Sequence, residues 1–179
     1  MTLPAVRQPY DQIASQYDQL WDTPEATAEN QQVMDRIAYS HGDVLDIACG
    51  TGLFLDHHPS CKTYLGIDPS PGMLSQLTAK HPDRDLICET FEASLSRICT
   101  KRFDLIISLF GSPSYIYPAA LDCVHDLLRP KGKMLLMFYA PGYKPVTHQF
   151  LESPPVLMDH NFANYGRVST FGNYVVAQK

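Results

Sequence analysis

Residues 44–52, Val-Leu-Asp-Ile-Ala-Cys-Gly-Thr-Gly, constrain this chain more than any other stretch. An apolar run containing Asp46 passes into a glycine turn and then into Leu53-Phe54-Leu55. The pattern reads as a buried strand, a tight loop and a helix start, the unit from which nucleotide-binding α/β domains are built. Thr63-Tyr64-Leu65-Gly66-Ile67 repeats the strand pattern and also ends in an acid, Asp68. Glycine lets main chain approach a ligand closely, and Asp68 can accept two hydrogen bonds from a ribose diol.

The residue types discriminate between ligands. A dinucleotide site calls for G-x-G-x-x-G with its pyrophosphate at the helix N-terminus. Gly50 and Gly52 are present, but Leu55 stands where the third glycine belongs. The charge of Asp46 would also oppose a pyrophosphate, whereas it favours an ammonium and a sulfonium. S-adenosylmethionine carries both and has no phosphate.

Five blocks in order resemble the class I S-adenosylmethionine-dependent methyltransferases, on the side of the small-molecule (type 11/25) members. Asp46-Ile47-Ala48-Cys49-Gly50-Thr51-Gly52 is similar to their motif I, with Ala48 in place of a frequent glycine. Gly66-Ile67-Asp68-Pro69-Ser70-Pro71-Gly72-Met73-Leu74 resembles motif II. Phe103 to Ser108 is similar to the fourth strand, Leu128 to Lys133 to the turn before the fifth, and Tyr10 to Asp18 to the N-terminal cap. Together they cover roughly residues 8–140. The resemblance implies an α/β, Rossmann-like sheet of seven mostly parallel strands, helices on both faces and a C-terminal antiparallel strand pair. It implies S-adenosyl-L-methionine as cofactor. The loop at Ala48 and Gly50 would take the methionine part and Asp46 the ammonium. Asp68 and Pro69 would lie at the ribose, Met73 at the base, Thr90 and Phe91 at the adenine edge, and Leu109 near the sulfur. Tyr10 and Tyr17 would form a lid.

Bulk properties narrow the classes. With 179 residues, 45% of them apolar, the chain can build one full domain. A formal charge of −5 argues against a phosphate-backbone groove, so no nucleic-acid partner is expected. The run Met134 to Ala140 is too short to span a bilayer, and Met1-Thr2-Leu3-Pro4 lacks a signal peptide's basic and apolar regions. No membrane partner is expected, and the location is expected to be cytoplasmic. The five cysteines form no C-x-x-C pair. No metal site is expected, and Cys49, Cys61 and Cys88 read as buried apolar residues of strands.

Residues 1–42 are expected to form a cap segment and helix packed on a core of residues 43–179. Thr23 and Pro24 mark a helix start. That helix would run to about Ser40, with Val33, Met34, Ile37 and Ala38 on its apolar side and Gly42 beyond its end. Strand and helix signals then alternate. They give strands at 43–48, 62–67, 85–88, 103–109 and 132–140, and helices at 52–58, 70–80, near 92–99 and near 114–129. Such alternation predicts right-handed crossovers and a parallel sheet, with the ligand at the strands' carboxyl ends. A proline-rich stretch, 141–161, precedes two strands at 162–169 and 173–177.

For a small-molecule methyl acceptor, the candidate binders are Ser112 and Tyr115, after the fourth strand, and Tyr139, after the fifth. Ser112 or Ser114 reads equally as a helix cap. Phe138 and Tyr143 are candidate pocket walls, and His148 and His160 are weak candidates for a base. No catalytic residue is assigned, because methyl transfer from a sulfonium asks mainly for alignment. Two alternatives stay open: a non-catalytic or partner-dependent cofactor-binding module, and a protein methyltransferase.

Overall fold

The computed structural model describes residues 9–37, 42–61, 63–139, 165, 167–171 and 174–179. Ala38, Ser40, Tyr143, His148, His160 and the 141–161 stretch lie outside the described residues. The chain opens with two 3₁₀ turns, Pro9–Gln12 and Ala14–Gln16, and a single helical turn, α1 (Tyr17–Leu20). Helix α2 (Pro24–Ile37) follows, its start capped by Thr23 Oγ1, which accepts from the Ala26 N–H at 3.2 Å.

Then strands and helices alternate: β1 (Asp43–Ile47), α3 (Leu53–His57), β2 (Thr63–Ile67), α4 (Pro71–Lys80), β3 (Asp85–Ile87), α5 (Phe91–Ile98) and β4 (Phe103–Ser108). A 3₁₀ turn, Ser112–Tyr115, leads to α6 (Pro118–Leu127) and β5 (Leu128–Met137). Strands β6 (Arg167–Phe171) and β7 (Tyr174–Gln178) close the sequence of elements.

The described strands form one seven-stranded sheet in the order β3-β2-β1-β4-β5-β7-β6. Strands β1 to β5 pair in parallel, while β7 runs antiparallel to both β5 and β6. Both faces are covered, which is why the inner strands are continuous apolar runs without alternation. On one face Val33, Met34, Phe54, Leu74 and Leu77 of α2, α3 and α4 pack against Val44, Leu105 and Ile107. On the other, Phe91, Ile98, Leu121 and Val124 of α5 and α6 pack against Leu45, Ile67 and Ile106.

Several expectations are corrected. The helix expected over 114–129 is divided: Ile116 and Tyr117 are extended (ψ 133° and 137°), and α6 begins at Pro118. Proline biases the residue before it away from helix and itself suits the first helical turn. Strand β5 starts at Leu128, earlier than the expected 132, and its pairing with β4 slips between Phe103 and Leu105. Arg129 lies in that irregularity, its guanidinium donating to Asp104 and Asp43 at 2.5 Å each. Strand β6 is described over 167–171, paired with β7, and residues 162–164 and 166 of the strand expected at 162–169 lie outside the described residues. Cys49 and Cys61 are buried as expected, but Cys88 is exposed. It follows β3, the edge strand, which stops at Ile87.

Candidate functional site: the glycine loop and its cover

The turn after β1 is wound by three residues with positive φ: Ala48 (59°), Gly50 (53°) and Gly52 (93°). The Cys49 N–H donates to the Ile67 carbonyl, which ties the turn to β2. A side chain built at Gly50 would meet nothing within 4 Å, so the loop's main chain borders open space at the carboxyl end of β1. At Gly52, in contrast, an added carbon would lie 2.9 Å from Leu77 Cγ. One glycine therefore keeps room for a ligand and the other admits the neighbouring helix.

Asp68, just past β2, is buried and joins two loops. Its Oδ2 accepts from the Gly50 N–H and its Oδ1 from the Ser70 N–H, each at 2.9 Å. Burial raises its pKa, and the two main-chain donors oppose that shift. Each carboxylate oxygen retains a lone pair for a further donor. Asp46 is buried as well and accepts from Tyr64 Oη at 2.9 Å. Burial pushes its carboxyl up to about 7; the Tyr64 bond lowers it and the charge of Asp68 raises it further.

The N-terminal segment docks on these loops. Asp11 Oδ1 accepts from Ser70 Oγ at 2.6 Å and from the Gly72 N–H at 2.8 Å. Asp18 Oδ1 accepts from Thr51 Oγ1 at 2.5 Å. Tyr17 is pushed up to about 12 by burial first, then by the charges of Asp68 and Asp18. Tyr10 is exposed and packs edge-on to Tyr17, ring centres 6.1 Å apart.

The other residues expected at the cofactor are distributed less simply. Met73 is buried in the first turn of α4, its N–H donating to the capping Ser70 Oγ, and Pro69 is half-buried in the loop before it. Thr90 caps α5, its side chain accepting from the Ala93 N–H. Phe91 is buried in the core on the α5–α6 side. Leu109 is buried in the core on the opposite side.

On the acceptor side, the turn after β4 carries two successive positive φ values, Phe110 (52°) and Gly111 (82°). A side chain on Gly111 would overlap the Tyr139 ring, 2.2 Å from Cε1. Tyr139 is fixed further by Ser114 Oγ, which accepts its N–H at 2.9 Å. Tyr115 Oη donates to Tyr139 Oη at 3.2 Å, the rings edge-on. Tyr115 and Tyr139 therefore come together, whereas Ser112 makes no side-chain bond to them among the described residues. Neither Ser112 nor Ser114 caps α6; the Tyr117 N–H at its start is taken by Glu92 Oε1 at 3.0 Å.

Reading the residues alone missed Asp11, Asp18, Thr51 and Phe110. A signal for the first two was there, because Tyr-Asp occurs twice, at 10–11 and 17–18, although only the tyrosines drew notice. Phe110 had none, since nothing local forces a bulky residue to positive φ. Among the described residues no group of three His, Cys, Asp or Glu could hold a metal ion.

The parallel sheet with its reversed final strand, and a glycine loop facing two buried strand-end carboxylates, define a Rossmann-like α/β domain. Residues 44–132, just under half of the chain, match the family described as "Methyltransferase domain". DesVI of Streptomyces venezuelae is 24% identical, with a TM-score of 0.56 over 75% of this chain and 59% of that one. CalS10, an S-adenosylmethionine-bound amino pentose methyltransferase from Micromonospora echinaspora, is 23% identical at a TM-score of 0.51, covering 64% of this chain and 51% of its own. A TehB-like S-adenosylmethionine-dependent methyltransferase from Corynebacterium glutamicum is 19% identical at 0.59, covering 92% and 96%. At these identities the likeness is one of fold, and the chain spans between half and three-fifths of the length of the first two. Comparison with curated protein sequences finds no match.

Proposed function

We propose that the protein binds S-adenosyl-L-methionine and transfers its methyl group to a small-molecule acceptor. The observation that carries the reading is the open space at Gly50 beside the anchored carboxylate of Asp68. Asp68 is held by two main-chain donors and keeps lone pairs for a ribose diol. Asp46, buried and with a raised pKa, gains most from a cation, and a ligand ammonium would hold it ionised. Gly50 and Ala48 present main chain to the methionine part. Met73 and the 88–91 loop border the base, the latter through main chain, since Phe91 itself lies in the core. When bound, the cofactor supplies an activated methyl on sulfur, and the chain's residues align the acceptor with it.

For the acceptor, the paired hydroxyls of Tyr115 and Tyr139 are the proposed contacts, with Ser112 at their margin. Gly111 and Ser114 hold Tyr139 in place, so the pair is preorganised. A small acceptor is favoured by the fold shared with an amino pentose methyltransferase. The working unit is taken as residues 43–179 with residues 1–42 as its cover. A cytoplasmic location belongs to the same proposal, supported by five free cysteines suited to a reducing compartment. No helix among the described residues is long and apolar enough to cross a membrane.

Calorimetric titration with S-adenosylhomocysteine, with NADH as control, tests the cofactor. Saturable binding of the first alone is expected, and loss of it in Asp68→Ala. Methyl transfer to a low-mass filtrate of cell extract, absent with Asp68→Ala, tests the acceptor. Transfer only to the high-mass fraction would replace a small acceptor with a protein.

A further inference from the structure

We propose that Asp18 is a positioning residue which, through Thr51, clasps the N-terminal segment onto the glycine loop and so shapes the cofactor site. The proposal deepens the cofactor reading above and rests on it for its effect on affinity. Thr51 lies between the two loop glycines and is buried, yet its hydroxyl donates to a residue whose side chain is 54% exposed. Asp18 is itself steered: its Oδ2 accepts from Lys80 Nζ at 3.0 Å. Lys80 also meets Asp56 Oδ2 at 2.7 Å, and Asp56 Oδ1 lies 2.8 Å from His81 Nε2. A continuous chain thus runs His81, Asp56, Lys80, Asp18, Thr51, from the far end of α4 to the loop.

The placement has a counterpart. Asp68 ties Gly50 to Ser70 from within the sheet. From the N-terminal segment, Asp18 grips Thr51, beside Gly50, and Asp11 grips Ser70 itself. Two loops that line the proposed cofactor space are therefore each held twice, once by the core and once by the segment. The Lys80 contact cannot be what matters most. Exposed ion pairs contribute little, whereas a hydrogen bond from a buried hydroxyl to a carboxylate contributes more, because its loss leaves the hydroxyl buried and unpaired.

The segment carries its own reporter. Trp21 is the chain's one tryptophan; it is half exposed and edge-on to Tyr17, ring centres 6.3 Å apart. Trp21 emission and its quenching by acrylamide are measured on ligand-free protein, and S-adenosylhomocysteine affinity is measured by calorimetry. The proteins are wild type, Asp18→Ala, Asp18→Asn, Thr51→Val, Lys80→Met and the double variant Asp18→Ala/Thr51→Val. Asp18→Ala should increase quenching without ligand and weaken binding by about tenfold or more. Asp18→Asn, which keeps an acceptor for Thr51, should restore most of both. Thr51→Val should match Asp18→Ala, the double variant should be no worse than either single one, and Lys80→Met should stay within about twofold of wild type.

Additive losses in the double variant, or Lys80→Met as damaging as Asp18→Ala, would overturn the Thr51 route. Unchanged quenching in Asp18→Ala would overturn the clasp outright, and this ligand-free readout decides it even if wild type binds no S-adenosylhomocysteine. That last result would count against the cofactor reading alone.

Discussion

Asp46 shows how one buried carboxyl links stability to ligand binding. Its folded-state pKa is about 7 against an ordinary value of 3.8, raised by burial first and by the charge of its neighbour Asp68, while the Tyr64 hydrogen bond lowers it. Between those values the folded chain holds a proton that the unfolded chain has lost, so this group's contribution to stability falls as pH rises from about 4 to about 7. Asn cannot titrate. The stability difference between wild type and Asp46→Asn, followed by thermal unfolding against pH, should be flat below that window, shift against wild type across it, and be flat above. With a cationic ligand the sign reverses, since the ionised form binds. S-adenosylhomocysteine affinity, through its ammonium, should rise with pH up to about 7 in wild type and stay level in Asp46→Asn.

The two loop glycines make a second test at the same scale. Gly50→Ala adds a carbon in open space, so its cost in stability should be only the left-handed backbone penalty, roughly 1–2 kcal/mol. Binding should nonetheless be lost. Gly52→Ala adds that penalty to an overlap with the fully buried Leu77 and should cost about 3 kcal/mol or more in denaturant unfolding. These residues, with Asp46 and Asp68, were readable in the sequence because glycine and acid at strand ends are local signals. Thr51 was not, as its residue type does not say what it will touch.

Among the elements, α4 is the one whose start does two jobs. Ser70 Oγ accepts the Met73 N–H as a helix cap and donates to Asp11 of the N-terminal segment. Ser70→Ala should cost about 1 kcal/mol of stability from the lost cap, measured by urea unfolding. It should also increase Trp21 quenching, which a cap acting on the helix alone would not do. The divided helix after β4 teaches the reverse lesson. Pro118 falls inside the helix expected near 114–129, and Pro113 just before it. The structure gives Pro113 to the 3₁₀ turn and Pro118 to the first turn of α6. Phe91, expected at the adenine edge, is buried in the core, where α5 begins and turns its first residue onto the sheet.

For the molecule as a whole, a ligand that binds only the folded state must stabilise it by mass action. At a hundredfold excess over Kd the gain is about 2.7 kcal/mol, which for a chain of this size means a Tm rise of about 5–10 °C. Differential scanning calorimetry with S-adenosylhomocysteine should show that rise and with NADH should not.

By itself, the sequence determined the parallel α/β sheet, the turn of its final strand pair and the place of the glycine loop. Those features follow from side-chain periodicity, from glycine and proline at turns, and from acids at strand ends, all of which act within a few residues. Only the tertiary structure decided what closes over the loop. The clasp joins Asp18 to Thr51 across 33 residues and Asp11 to Ser70 across 59. Contacts at that separation depend on how the N-terminal segment meets the ends of β1 and β2, which no local pattern encodes.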